Sequence, residues 1–479
     1  MRSLLGSACL ALAAMGVLGD VVWMGELGAK VWKVSVEPAK ELGAIRLMNA
    51  VNNGPIKGFS DQTVDNFETY AALKIPYARI HDASIYYTYG AHHVVDIHAV
   101  FPNFDADEND PANYDFTLTD RYLSTMREAG TEPYYRLGAS IEHWVKKFNV
   151  NPPKDFAKWA RICEHIVRHY NEGWANGFKW NIQYWEIWNE PDQKGKKDGR
   201  QSPTWTGTQE QFLELYKVTS LHLRKCFGDS IKIGGPAFCW AEAWKEVFLP
   251  YCAKEKLPLD FYSWHLYTTN PKAIGHWSKR ARKLLDQNGF TKTESHLNEW
   301  NYVAGWDTQW IYSLDVINGS RALKGAAFAA AAMSEGQDAP VDMLMYYDAR
   351  LNGGMNGIFK THSMLPNWGY WAFVCWNRLR ALGTQVAASA GDAPLYLTAA
   401  KDAKGNLGLL VTRFTDDDRD VVVQTVEILP PAGTSWEQAR FHLTDPEHIN
   451  SEIFPLVTKE GTVKVRLAPN AFLFVDWRK

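Results

Sequence analysis

Tyr184-Trp185-Glu186-Ile187-Trp188-Asn189-Glu190-Pro191 reads as a buried strand that stops at a proline with a carboxylate at its tip. Bulky aromatic and β-branched residues favour extended chain, and Pro191 has no amide hydrogen with which to continue a ladder. Alternation with a period of two puts Glu186, Trp188 and Glu190 on one side, with Glu190 last before the chain turns. Seven further runs of this kind alternate with helical stretches, giving strand candidates at 45–51, 77–81, 132–137, 183–188, 232–235, 260–265, 295–299 and 343–347. Count and order predict an α/β fold, a (β/α)8 TIM barrel over residues 44–382. In such barrels a carboxylate at the C-terminal end of a strand sits where the chemistry is done.

The intervening helices carry their own punctuation. Thr208-x-x-Gln211 has the form of a capping box, and Phe212, Tyr216, Thr219 and Leu223 recur at helical spacing. Arg224 and Lys225 fall where positive charge complements the helix dipole, and Gly228 ends the run. After Leu382-Gly383 the texture changes to short alternating runs at 395–399, 407–412, 421–428 and 463–467, separated by turn residues. That pattern predicts an accessory β-sandwich. The alternating stretch Val31-Trp32-Lys33-Val34-Ser35-Val36 precedes the first barrel strand. It is expected to join the C-terminal sheet, so that residues 20–43 and 383–479 make up the second domain.

A formal net charge of −3 over 479 residues points to neither nucleic acid nor an anionic membrane surface as partner. The 21 Trp, 21 Tyr and 22 Phe are an unusual aromatic content that both fills a large core and offers some rings as flat platforms to sugars, in shares that composition alone does not apportion. Met1-Arg2 followed by the apolar run from Leu4 to Leu18 reads as a signal peptide over residues 1–19, too short for a comfortable span. An exported, periplasmic or extracellular chain with no membrane span in its mature form is expected. Cys9 would leave with the signal. The other five cysteines lack CxxC spacing and are read as small buried hydrophobes, with no disulfide framework and no zinc site.

A second segment, His296-Leu297-Asn298-Glu299-Trp300-Asn301, also ends in a carboxylate, 109 residues after Glu190. Cleavage of a glycosidic bond needs a proton donor for the leaving oxygen and a second carboxylate facing the anomeric carbon. Glu190 and Glu299 are the candidates for that pair, in environments that must separate their pKa values. Arg79, inward-facing in Tyr77-Ala78-Arg79-Ile80-His81, is expected to lower the pKa of Glu299. Glu186, below Glu190, is read as a buried partner for an arginine or histidine. Asp105-x-Asp107-x-Asn109 imitates a calcium loop but has Asp110 at position six and Phe116 at position twelve, so it reads as an exposed acidic loop. His92, His93, Asp96 and His98 match no metal-ligand spacing and are placed in a loop near the cleft mouth.

Trp188-Asn189-Glu190-Pro191 resembles the acid/base signature of the clan A retaining glycosidases. Several other segments resemble glycoside hydrolase family 39, the β-xylosidase and α-L-iduronidase family: Tyr114-Asp115-Phe116 through Asp120, Gly130 and Pro133; Trp205-Thr206-Gly207-Thr208; Ser263-Trp264-His265-Leu266-Tyr267; and Asn298-Glu299-Trp300. The resemblance implies a retaining double displacement with Glu190 as acid/base and Glu299 as nucleophile. It also implies that Asn189 binds the sugar 2-hydroxyl, with His265 and Tyr267 lining the cleft. Arg79, His81, Trp300 and Trp144 complete the candidate substrate-binding set.

The same resemblance implies that an iduronidase of the family would carry basic residues near the sixth strand to hold a uronate. Here Leu266, Tyr267, Thr268 and Thr269 follow His265, which argues against a uronic acid. Lys194, Lys196, Lys197 and Arg200 read as a solvated loop, and Arg350 remains a candidate contact to a hydroxyl or carboxylate. The leading expectation is an exo-acting, β-xylosidase-like retaining hydrolase of glycosides or oligosaccharides, with no cofactor and no metal. The alternatives are another clan A specificity (arabinosidase, glucosidase or galactosidase), a non-catalytic sugar-binding barrel, or a metal-dependent hydrolase. Assembly state is not legible.

Overall fold

The computed structural model describes residues 31–58, 65–83, 93–195, 199, 201–239, 242–351, 353–361 and 363–479. Eight parallel strands close into a barrel in chain order: Leu47–Asn52, Tyr77–Arg79, Glu132–Leu137, Tyr184–Ile187, Lys232–Phe238, Phe261–Thr268, Glu294–Tyr302 and Met343–Tyr346. The eighth closes on the first, with Leu47 opposite Met343 and Val51 opposite Tyr346. All eight expected strands are present. The fifth runs past the expected end because Gly234-Gly235-Pro236 is not a turn. A Cβ on Gly234 would stand 2.1 Å from the carbonyl oxygen of Phe261, so glycine there serves close strand packing.

The helix Gln209–Phe227 starts on the expected capping box. Thr208 Oγ1 accepts from the Gln211 amide at 3.2 Å, and Gln211 Oε1 accepts from the Thr208 amide at 2.9 Å. The helix Ala322–Gln337 is alanine-rich and buried on almost every side. Its small side chains admit neighbours on all faces, and its Phe328 ring packs on Trp300, Tyr302 and Phe414. With Trp368–Leu382 it lies between the barrel and the second sheet, whose Leu410, Phe472 and Phe474 join the barrel's core.

That second sheet has nine strands, in spatial order His448–Ile453, Ala439–Asp445, Ala471–Trp477, Leu407–Arg413, Tyr396–Lys401, Thr384–Ser389, Trp32–Ala44, Gln424–Ile428 and Val463–Leu467. It encloses its own apolar core around Trp32, Val34, Leu409, Val426, Phe441, Leu473 and Trp477. Strand Trp32–Ala44 pairs antiparallel with Thr384–Ser389 and parallel with Gln424–Ile428, so the amino-terminal strand is built into the carboxy-terminal sheet.

Residues 1–19, read as a signal peptide, lie outside the described residues, as do His92, Lys196, Lys197 and Arg200. No described helix is long and apolar enough to cross a membrane. Cys163, Cys252 and Cys375 are buried, but Cys226 and Cys239 are half-exposed. The reading of every cysteine as a buried hydrophobe therefore fails for two.

Candidate active site

The strand holding Glu186 ends at Ile187, and the chain then leaves the extended conformation. Trp188 and Glu190 adopt φ of 73° and 46°, the left-handed region that costs residues with a Cβ. Alternation therefore breaks at Trp188, and the expected shared face of Glu186, Trp188 and Glu190 is not observed. The Trp188 ring instead turns into the helix layer against Trp159 and Trp205, and its indole nitrogen donates to the Thr204 carbonyl at 2.9 Å. Gly138 makes room for it, since a Cβ there would lie 3.2 Å from the Trp188 Cα. The turn is held from both sides: the Glu190 amide donates to the Ala237 carbonyl at 3.1 Å, and Thr204 Oγ1 donates to the Glu190 carbonyl at 2.6 Å.

Glu299 is presented differently. Its strand runs on to Tyr302, and the pairing with the sixth strand slips between Trp264 opposite Leu297 and His265 opposite Glu299. This irregularity gives Asn298 no counterpart, so consecutive residues Asn298 and Glu299 both reach buried polar partners near the barrel axis.

Arg79 joins the two. Its Nε donates to Glu186 at 2.6 Å, its Nη1 to Glu299 Oε1 at 2.7 Å and to Asn52 at 3.1 Å, and its Nη2 to Asn189 Oδ1 at 2.6 Å. Glu186 also accepts from Ser263 and Asn298, each at 2.6 Å, and is the buried arginine partner expected. Tyr267 donates its hydroxyl to Glu299 Oε2 at 2.7 Å. His265 Nδ1 lies 2.8 Å from Glu190 Oε1 and 3.4 Å from Glu299 Oε2. Gln193 donates to Glu190 Oε2 at 3.0 Å. Oxygens of the two carboxylates and a nitrogen of His265 all lie within 4.8 Å of one another.

Burial sets the protonation states. Glu190, 5% exposed, is pushed up to about 8 by desolvation and by the neighbouring Asp192. Burial also raises Glu299 above the ordinary carboxylate value, against the lowering pull of His265 and Arg79. The expected lowering by Arg79 is thus present but outweighed. Burial brings His265 down to about 4 despite the Glu299 carboxylate, so the imidazole is neutral and shares one proton with Glu190. Burial likewise drives His81 well below its usual value.

The same end of the barrel adds Asp82 and Asp348, which the sequence reading passed over, beside the candidate Arg350. Asp82 Oδ2 accepts from the Tyr347 hydroxyl at 2.8 Å, and Asp348 accepts from Asn53 at 3.1 Å. Arg350 is bound to Asp348 at 3.0 Å and donates to the Asp82 carbonyl at 2.9 Å. Asp348 sits one residue past the expected end of the eighth strand, so the strand-end rule that singled out Glu190 applies to it equally. Asp82 follows His81 in the same way. Both ring nitrogens of His81, Asp82 Oδ1, Asn189 Nδ2, His265 Nε2 and Asp348 Oδ1 are buried and have no hydrogen-bond partner among the described residues. This mixture of donors and acceptors suits a polyhydroxylated ligand.

One of the candidate residues is turned away from the carboxylates. Trp300 follows Glu299 on the opposite face, and its ring packs against Tyr346 and Phe328 in the core. Trp144 is 73% exposed in the segment after the third strand. The acidic loop is exposed as expected, Asp107 accepting from Asn109 and Asp105 pairing with Lys154. Asp96 is buried against Arg136 and Ser140. Among the described residues two clusters have metal-ligand composition, Glu190 with His265 and Glu299, and Glu164 with His222 and Cys226. In the first, the Arg79 guanidinium already supplies the positive charge that a metal would bring.

Comparison with known proteins bears on family and fold. The β-xylosidase of Geobacillus stearothermophilus is 26% identical over 367 residues, 67% of this chain and 66% of that protein. The match thus spans just under two thirds of that relative. A β-xylosidase of Caldicellulosiruptor saccharolyticus is 28% identical over 168 residues, 32% of its length. Among solved structures, a glucosidase from Croceicoccus marinus superposes with a TM-score of 0.73 at 22% identity, covering 94% of this chain and all of that one. A monomeric β-xylosidase from Caulobacter crescentus CB15 superposes at 0.68 with 15% identity, over 93% of this chain and 99% of the other. At those identities the likeness carries the fold. The sequence profile of glycosyl hydrolases family 39 matches residues 33–341, and the chain belongs to that family.

Proposed function

We propose that this protein is an exported, retaining glycoside hydrolase that removes single β-xylosyl units from the ends of short glycosides. The observation that carries the proposal is the approach of Glu190 and Glu299 oxygens to within 4.8 Å. Retaining enzymes hold their carboxyls about 5–5.5 Å apart, whereas inverting enzymes leave about 6.5–9.5 Å for a water.

In the first step Glu299, ionised and held by Arg79 and Tyr267, attacks the anomeric carbon. Glu190 gives its proton to the departing oxygen, and a covalent glycosyl–enzyme forms. In the second step Glu190, now a carboxylate, takes a proton from water. The oxygen of that water attacks the same carbon, and Glu299 leaves. Asn189, fixed by Arg79 through Oδ1, has Nδ2 left to donate to the sugar 2-hydroxyl. Deep burial of both carboxylates suits a pocket that admits one terminal residue. A neutral glycone is favoured because Arg350 is already neutralised by Asp348. The similarity to β-xylosidases supports xylose as that glycone, and the apolar run after Met1-Arg2 supports export.

The test is a panel of aryl β-xylosides, β-glucosides and α-arabinofuranosides, with the first anomer followed by proton NMR. Fastest turnover of the xyloside, releasing β-xylose first, is expected. Release of the α anomer would overturn the retaining mechanism, and preference for another glycone would overturn the specificity.

A further inference from the structure

The mouth of the cleft carries an aromatic feature to which the mechanism assigns no task. Trp306 lies in the segment after the nucleophile strand and is 51% exposed, unusual for so large a ring. Its indole stacks on Trp310, with centroids 5.0 Å apart and planes at 22°. Its edge meets the Tyr267 ring at 5.1 Å and 83°. Tyr267 bonds to Glu299, and its ring also meets Tyr347 edge-on at 6.5 Å. The four rings form a wall that begins beside the nucleophile and ends in solvent.

The wall is anchored. Val303, Ile317, Tyr347 and Met355 form an apolar cluster separate from the main core, and Tyr267 and Trp310 pack against it. The Ala304 amide donates to Ser313 at 2.9 Å, the Gln309 amide to Asp307 Oδ1 at 3.2 Å, and the Trp310 amide to the Asp307 carbonyl at 3.1 Å. An exposed indole loses solvent contact only when something lies on it. A ring held by stacking and by a pinned loop loses little entropy in receiving it.

We infer that Trp306, backed by Trp310, is the platform of a leaving-group subsite, on which the sugar next to the scissile bond lays its C–H face. The glycone occupies the enclosed region between the carboxylates, so a half-exposed ring further out faces the departing part of the substrate. The inference rests on the carboxylate-pair reading of the site. It adds a preference for leaving groups with a broad apolar face.

β-Xylosyl fluoride and xylobiose separate the two. They share a glycone and pass through the same glycosyl–enzyme, but fluoride has no face to stack. In Trp306→Ala the ratio of kcat/KM for xylobiose to kcat/KM for β-xylosyl fluoride is expected to fall about tenfold, the effect of one good aromatic contact. Trp306→Phe should restore most of the ratio. A ratio within twofold of wild type, or a fall that phenylalanine does not reverse, would overturn the platform. If the wild-type enzyme hydrolyses neither compound, it is the β-xylosidase reading of the site that fails instead.

Discussion

Glu190 and Glu299 are the same residue type, a few ångströms apart and almost equally buried, yet the chain delivers them in opposite ways. Glu190 sits past the end of a four-residue strand, in a left-handed turn, beside a neutral histidine and a glutamine amide. Glu299 sits within a nine-residue strand at a pairing irregularity, gripped by a guanidinium and a phenol. Burial raises both carboxyls, but among the described residues only Glu299 has a full positive charge bonded to it. The difference is what a donor and a nucleophile require. In the proposed mechanism the position in the left-handed turn, without a guanidinium on it, keeps its proton, and the one held by Arg79 gives its proton up.

The largest test of this contrast removes each carboxylate and offers azide. Glu299→Gly should lower kcat/KM by roughly ten-thousandfold or more on every substrate, because no covalent intermediate forms. Glu190→Ala should lose about a hundredfold to ten-thousandfold on substrates with poor leaving groups, and far less on activated aryl glycosides. Azide should rescue both, with opposite stereochemistry. In Glu190→Ala it attacks the intermediate and yields the β-glycosyl azide, whereas in Glu299→Gly it replaces the nucleophile and yields the α anomer. The same anomer from both variants would remove the assigned roles.

A smaller effect sharpens the comparison through pH. The first step needs Glu190 protonated and Glu299 ionised. As pH rises through about 8, Glu190 loses its proton, and kcat/KM should fall about tenfold per unit above that point. The acidic limb should lie above the ordinary carboxylate range, because burial raises Glu299 as well. With an activated aryl glycoside that needs no acid, Glu190→Gln should abolish the basic limb and keep the acidic one. A basic limb that survives the substitution would belong to another group.

The sequence speaks clearly where period-two alternation ends in a breaker and is silent where the backbone departs from regularity. All eight barrel strands and the capping box at Thr208 were legible, because each rests on a local pattern. The strands Thr384–Ser389, Ala439–Asp445, His448–Ile453 and Ala471–Trp477 were not. His448-Ile449-Asn450-Ser451-Glu452-Ile453 is an edge strand with little to bury, and Ala471-Phe472-Leu473-Phe474-Val475 is apolar without alternation because both its faces are covered. At the site, Glu190, Glu299 and Arg79 were legible by position on their strands. The outward turn of Trp188 was not, since it follows from a positive φ that leaves no mark on a Trp-Asn-Glu sequence. Trp300 was misplaced by proximity in sequence, the pleat turning it from the cleft that Glu299 enters. Asp82, Asp348 and Trp306 gain their meaning only from strands and loops distant in the chain.

The smallest effect is on folding itself. A carboxyl held at about 8 in the folded protein and near 4.5 in the unfolded chain keeps its proton on folding between those values. The folded state then binds more protons than the unfolded one, so stability falls as pH rises from about 4.5 to 8. By pH 8 the full shift amounts to about 3–5 kcal/mol, taken as an order of magnitude. Glutamine fills nearly the same space and cannot ionise. Glu190→Gln should therefore match the wild type in unfolding midpoint near pH 5 and melt a few degrees higher near pH 8, although it is a poorer enzyme. Glu299→Gln removes the grip of Arg79 on a carboxylate and leaves that guanidinium short of a partner, so it should stabilise less at pH 8 or destabilise. A denaturation series at the two pH values measures both. Equal behaviour of the two glutamines would mean that burial alone, without the charge of Arg79, governs the pair.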